Sequence, residues 1–355
     1  SRGIMAQSVG GGGGDGGTAS STSFAVSDIC NNTALNTYVC GDDPTKNAVT
    51  DFAINSTVVI GGQGSTGGSG GGVTVENTAD ITTSGQLSHG IYAQSVGGGG
   101  GNGGEGALGI EAWTTDQLAV KITDLPGNLL PSFSSFDIVV GGAGGSGGDG
   151  GSVTVTNSGN IQINGPDASY IAKYTGLLGG VTNALPFLAG GSGIFAQSVG
   201  GGGGDGGAGS SSLTAAVTVG SKGGGGGTGG AVSVTSTGTI TNTSGFSGTG
   251  IFAQSVGGGG GTAGDVGQGF SDSGEYLNIG AGVAVSESPG AGGDGGDVTV
   301  TASNTIHTTG TASPGIVAQS VGGSGGIAAV KSNATMTIYA GSGNAPGNGG
   351  NVTVN

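Results

Sequence analysis

Short runs in which apolar and small polar residues alternate recur along this chain, separated by long stretches of glycine. The clearest are Val73-Thr74-Val75, Val153-Thr154-Val155, Val232-Ser233-Val234 and Val298-Thr299-Val300, with a truncated copy at Val352-Thr353-Val354. A period of two is the strand period, so the valines share one face and the hydroxyl residues the other. After a turn, each full triplet leads into a second run headed by Ile81, Ile161, Ile240 or Ile306, also predicted as strand. Two residues ahead of those isoleucines stand Ala79, Gly159, Gly238 and Asn304. Gly and Asn there suggest a left-handed turn, with Ala79 the exception. A third apolar run precedes each triplet: Val58–Ile60, Ile138–Val140, Val217–Val219, Val283–Val285 and Met336–Ile338.

Between these runs lies a fixed phrase. GIMAQSVGGGGGDGG begins at Gly3, GIYAQSVGGGGGNGG at Gly90, GIFAQSVGGGGGDGG at Gly193, GIFAQSVGGGGGTAG at Gly250 and a shorter form at Gly315. A phrase repeated this closely marks a repeat array in which each copy is one unit stacked on the next, here spanning residues 1–355. Variable inserts interrupt it at 18–57, 105–137, 166–192 and 262–282. The shortest unit, Val298 to Val352, has the length of two or three solenoid coils of about 20 residues each. Stacked in register, the units align an outer hydroxyl file of Thr74, Thr154, Ser233, Thr299 and Thr353, and an amide file of Gln7, Gln94, Gln197, Gln254 and Gln319. The direction of the amides is left open, because Met5, Tyr92, Phe195, Phe252 and Val317 occupy the same face of the strand.

Composition narrows the class. Glycine accounts for 92 of 355 residues and charged residues for only 8%, which fits neither an ordinary globular enzyme nor a charged disordered tail. The glycine tracts read as corners of a β-solenoid or as extended three-residue-per-turn segments packed by backbone hydrogen bonds; flexible linkers are the alternative. A net charge of -15 argues against nucleic acid and against anionic membrane surfaces as partners. No apolar run is long enough to span a bilayer as a helix. Both ends fall inside repeats, so the chain is expected to be a fragment of a longer protein.

Candidate chemistry is sparse. Cys30 and Cys40 in the first insert suggest a local disulfide. The string Gly292–Val300 approaches a calcium nonapeptide and makes Asp294 and Asp297 weak calcium candidates, but tandem copies are missing. No other cofactor or metal is expected. His89 and His307 lack a Ser and acid constellation, and Asp265 with Asp272 reads as solvated loop carboxylates, so no catalytic residue is assigned and an enzyme is not expected. Trp113, Tyr170, Tyr174 and Phe187 in the inserts are possible partner contacts.

The alternation of GI[FYMV]AQSVGGGGGxGG with GGxVTVxNxGxI resembles the glycine-rich repeats in passenger regions of bacterial autotransporters, the type V secreted proteins. The resemblance implies an all-β, elongated right-handed parallel β-helix (β-solenoid) with glycine-rich extended segments and lateral loop inserts. It implies an extracellular location, displayed on the outer membrane or secreted, with a β-barrel anchor outside this fragment. The function expected is a structural or adhesive stalk that presents its inserts to a host cell, an abiotic surface or extracellular matrix. Self-association into filaments or matrix is the first alternative, an ice- or polysaccharide-binding solenoid the second.

Overall fold

The computed structural model describes residues 1–22, 57–85, 87–109, 137–165, 190–211, 216–244, 247–268, 283–310, 312–328, 337–339 and 343–355. These residues form strands and no helix. The strands assemble into five parallel sheets, and in every sheet each strand comes from a different repeat. The valine triplets form one sheet (Val73–Asn77, Val153–Asn157, Val232–Ser236, Val298–Ala302 and Val352–Val354). The isoleucine runs form a second (Ile81–Ser84, Ile161–Asn164, Ile240–Thr243 and Ile306–Thr308). The AQSV phrases form a third (Arg2–Val9, His89–Val96, Ser192–Val199, Thr249–Val256 and Ile316–Val321).

The fourth sheet joins Val58–Ile60, Asp137–Val140, Ala216–Gly220, Val283–Ser286 and Thr337–Tyr339. Its register pairs Val283 with Thr337, one residue later than the apolar pattern around Met336 suggests. The fifth sheet was not foreseen. It is built from Ala19–Thr22, Gly106–Gly109, Gly209–Ser211 and Val266–Gln268, three of which fall in stretches read from sequence as inserts. ASST, GALG, GSS and VGQ carry no common alternation, so nothing in their pattern marks them as strands.

Each of the first four repeats therefore supplies one strand to each sheet and makes a single large rung, not the two or three coils inferred from its length. The rung is large because two glycine tracts cross its middle. On one side, the valine, isoleucine and AQSV sheets enclose a core of Val73, Val153, Ile161, Ile194, Val232, Ile251, Val298 and their neighbours. On the other, the fourth and fifth sheets bury Val59, Leu108 and Val139. The inserts leave and return between those two sheets, at the far end of the rung, with one exception: the segment after Asn164 lies between the isoleucine and AQSV strands.

The tracts themselves follow a period of three, the period of a polyproline-type helix. In the first tract the amides of Gly10, Gly13 and Gly16 donate along the stack to Val96, Gly99 and Asn102, at 2.7–2.8 Å. The next residue in each triplet faces the second tract, which runs antiparallel: Gly62, Ser65 and Gly68 donate to Gly17, Gly14 and Gly11. One such chain of bonds zigzags between the layers from Gly347 through Gly323, Gly293, Gly258, Gly227, Gly201, Gly148, Gly98 and Gly68 to Gly11, each bond 2.7 or 2.8 Å. A Cβ on Gly98 or Gly201 would lie 2.0 Å from a carbonyl oxygen of the same tract in the neighbouring rung, Gly11 or Gly98. Close approach, not a left-handed backbone, is what glycine provides here.

The same holds at the turn before the isoleucine strands. Gly159 and Gly238 do not take the left-handed conformation expected of them; the described residues that do include Gly85 and Gly310. A Cβ on Gly159 would meet the Ala79 carbonyl oxygen at 2.0 Å, and one on Gly238 the Gly159 oxygen at 1.9 Å. The turn is held instead by side-chain amides, with Asn77 and Asn157 donating to the carbonyls of Ala79 and Gly159.

Candidate functional site

The AQSV phrase becomes intelligible residue by residue. Its alanine and serine face inward, and its glutamine and valine face outward, as period-two alternation requires. The inward serine ties the sheet to the second glycine tract. Ser198 Oγ donates to the Gly151 carbonyl at 2.9 Å and accepts from the Gly230 amide at 2.8 Å. Ser95 does the same with Gly71 and Gly151, and Ser320 with Gly296 and Gly350. A hydroxyl thus continues the interlayer bonding at the place where strand gives way to tract.

The outward face carries three files in register. Gln7, Gln94, Gln197, Gln254 and Gln319 form a continuous amide ladder, each Nε2 donating to the next Oε1 at 2.6–2.7 Å. The amides point outward, which the sequence left open, yet they still bond along the stack. Beside them Tyr92 and Phe195 stack with centroids 4.8 Å apart at 2°, and Phe195 and Phe252 at 5.1 Å and 6°. Met5 and Val317 occupy the same file. The third file is Val9, Val96, Val199, Val256 and Val321. Since the ring faces cover one another, solvent meets mainly ring edges, a surface ill suited to stacking on a sugar.

At one end of this face the Arg2 guanidinium lies 4.5 Å from the Tyr92 centroid. His89 packs edge-on against Tyr92 and Phe195, both at 5.5 Å, and its Nδ1 accepts the Ser192 amide at 3.1 Å. Burial, followed by the nearby charges of Arg2 and the Ser1 ammonium, lowers the imidazole pKa from 6.5 to about 4. The ring is therefore a neutral acceptor at neutral pH.

On the valine-triplet sheet Thr74, Thr154, Ser233, Thr299 and Thr353 are aligned in register on the outer face. A second hydroxyl file of Thr156, Thr235 and Thr301 runs two residues on, with Glu76 at its first position. The valines between them are buried, as the alternation requires, except at the terminal strand Val352–Val354, which is exposed.

The carboxylates have a backbone role that sequence reading missed. Every third tract residue points outward, and Asp or Asn at that position accepts the amide of its counterpart in the next rung. Asp15 Oδ1 accepts from Asn102, Asn102 Oδ1 from Asp205 and Asp205 Oδ1 from Thr262, at 2.7–2.9 Å. Asp294 and Asp297 act likewise on the amides of Asn348 and Asn351, at 2.6 and 2.7 Å. Three residues apart on such a tract, they stand about 9 Å from each other and do not converge on a cage. Among the described residues no group of three or more His, Cys, Asp or Glu is placed to hold a metal ion. The recurrence of Asp and Asn at multiples of three within the tracts was the signal available.

Cys30, Cys40, Trp113, Tyr170, Tyr174, Phe187 and Asp272 lie outside the described residues. Among those described, no helix is long and apolar enough to cross a membrane. No protein-family model, curated protein or solved structure matches the chain.

Proposed function

We propose that this chain is an extended structural stalk outside a bacterial cell, a right-handed β-helix of the autotransporter passenger type, whose rungs hold inserts out for attachment to a host cell, matrix or abiotic surface. The observation that carries this reading is the continuity of bonding along the stack. Amide ladder, ring file, serine ties and glycine zigzag each pass from rung to rung with unchanged register. A structure bonded in this way resists bending and local opening, because no rung unfolds without breaking bonds on both sides. The glutamines and serines of the AQSV phrase are spent on those bonds, and the inserts are the part that varies from rung to rung.

The test is adhesion. Cells or beads displaying the chain are compared with versions in which residues 110–136 and 166–189 are replaced by short Gly/Ser loops. Loss of adhesion with an unchanged far-UV spectrum supports the stalk; undiminished adhesion refutes insert-mediated attachment. A second reading has one observation in its favour, the paired hydroxyl files of Thr154/Thr156 and Thr299/Thr301, a flat grid suited to ice or a polysaccharide. Thr154→Tyr with Thr299→Tyr leaves binding unchanged if that reading is wrong.

A further inference from the structure

We propose that the outward AQSV face is the surface through which two copies of this chain pair side by side. Three features of the face point to a second copy over other partners.

The first is charge. Each copy carries a net charge of -15, so two copies repel each other over most of their surface. The AQSV strands contain no Asp or Glu. Acidic side chains lie instead on the glycine tracts and the valine-triplet side, among them Asp15, Asp149, Asp205 and Glu76. The AQSV face is where like-charged copies approach with least opposition.

The second is the state of its polar groups. One donor and one acceptor of each interior Gln are already paired along the ladder, and the Tyr92 hydroxyl donates to Gln94 Oε1 at 3.0 Å. Covering a bonded amide forfeits less than covering a free one. The flanking files are apolar, half-buried at their interior positions and more open at the end strand, where Met5 is 52% and Val9 63% exposed. Amide and aromatic ladders in register are also the pattern that pairs sheets face to face in dry interfaces.

The third is area. Five strands spaced at about 4.8 Å, and about eight residues long at 3.3 Å each, present about 600 Å² per copy, or about 1,200 Å² in a pair. That reaches the lower bound of specific protein interfaces and suits a reversible dimer.

The test is sedimentation velocity of the 355-residue chain over a range of concentrations at low and high salt. A monomer–dimer equilibrium that strengthens with salt is expected, since salt screens the net repulsion. Val96→Asp with Val199→Asp places charge on the face and is expected to weaken dimerisation at least tenfold. Thr154→Asp with Thr235→Asp adds the same charge to the hydroxyl face and is expected to change it less than about twofold. Far-UV spectra check that both variants are folded; should the first not fold, the salt dependence of the unmodified chain decides alone. A chain monomeric under all conditions, association that weakens with salt, or equal sensitivity to both pairs of substitutions overturns the proposal.

Discussion

Gly201 and Gly202 are neighbours in sequence with opposite expected responses to the same substitution. Gly201 faces the opposing tract: its amide donates to Gly148 and its carbonyl accepts from Gly227, both at 2.8 Å. A Cβ there would stand 2.0 Å from the Gly98 oxygen, well inside contact distance. Relieving it pushes Gly201 away from the neighbouring rung and disturbs both of its interlayer bonds. Overpacking costs about 1–3 kcal/mol and each buried group left unpaired about 1–3 kcal/mol, so Gly201→Ala is expected to lose at least about 3 kcal/mol. Gly202 points to solvent, where the nearest atom to a Cβ is the Gly259 oxygen at 3.8 Å. Its backbone is not left-handed, so Gly202→Ala is expected to gain about 0.4–1 kcal/mol through the unfolded chain alone. Guanidinium titrations of both variants, with hydrogen exchange at the Gly201 and Gly227 amides, measure the difference. Equal midpoints, or a Gly201→Ala loss below about 1 kcal/mol, would refute the close-packed glycine layers.

Other outcomes follow from single contacts. Gln197→Ala breaks the ladder on both sides and should cost about 1–2 kcal/mol, whereas Gln7→Ala removes one exposed bond at the end and should cost less than half as much by the same titration. Thr218 is fully buried with no partner for its hydroxyl, so Thr218→Val is expected to raise stability by about 1–2 kcal/mol, read as a shift in denaturation midpoint. The folded pKa of His89, about 4, lies below its unfolded 6.5, so the unfolded chain takes up the proton first. The stability it contributes is therefore complete above about pH 6.5 and lost as pH falls toward 4. An imidazole NMR titration with a midpoint near 6.5 would contradict this; His89→Phe should flatten the pH dependence of the midpoint in that window.

The strands of four sheets were legible because their side chains obey a strict two-residue period: Val73 and Val75 cannot both be buried in any other element. Register in the AQSV sheet was legible too, since Gln, Ser and Val recur in one fixed phrase, whereas the short run at Met336–Ile338 misplaced its strand by one residue. The glycine tracts were only half legible. The glycine layers depend on close contacts between rungs, such as Gly98 with Gly11, 87 residues apart, and between tracts, such as Gly68 with Gly11, and a residue with no side chain leaves no pattern of burial to read. For the same reason Gly159 was taken for a turn former when it is a contact residue. The fifth sheet escaped because its strands carry only isolated apolar side chains, Leu108 and Val266 buried among glycine, alanine and serine, with no period to read. The outward direction of Gln197 was hidden by Phe195, which lies on the same exposed face and gains its shelter from the rings above and below it.

The partners in the amide ladder are separated by 87, 103, 57 and 65 residues, yet the bonds between them are 2.6–2.7 Å long throughout. Differences of tens of residues between rungs leave no trace in the register. Loop closure grows only slowly with length, by about 0.6 kcal/mol for each doubling, and most of the extra residues enter the chain between strands of the fifth and fourth sheets, across the glycine tracts from the main core. The framework thus works as a rack with standard fittings. Segments of very different size can be exchanged at one end of a rung while the neighbouring rungs keep every bond they had.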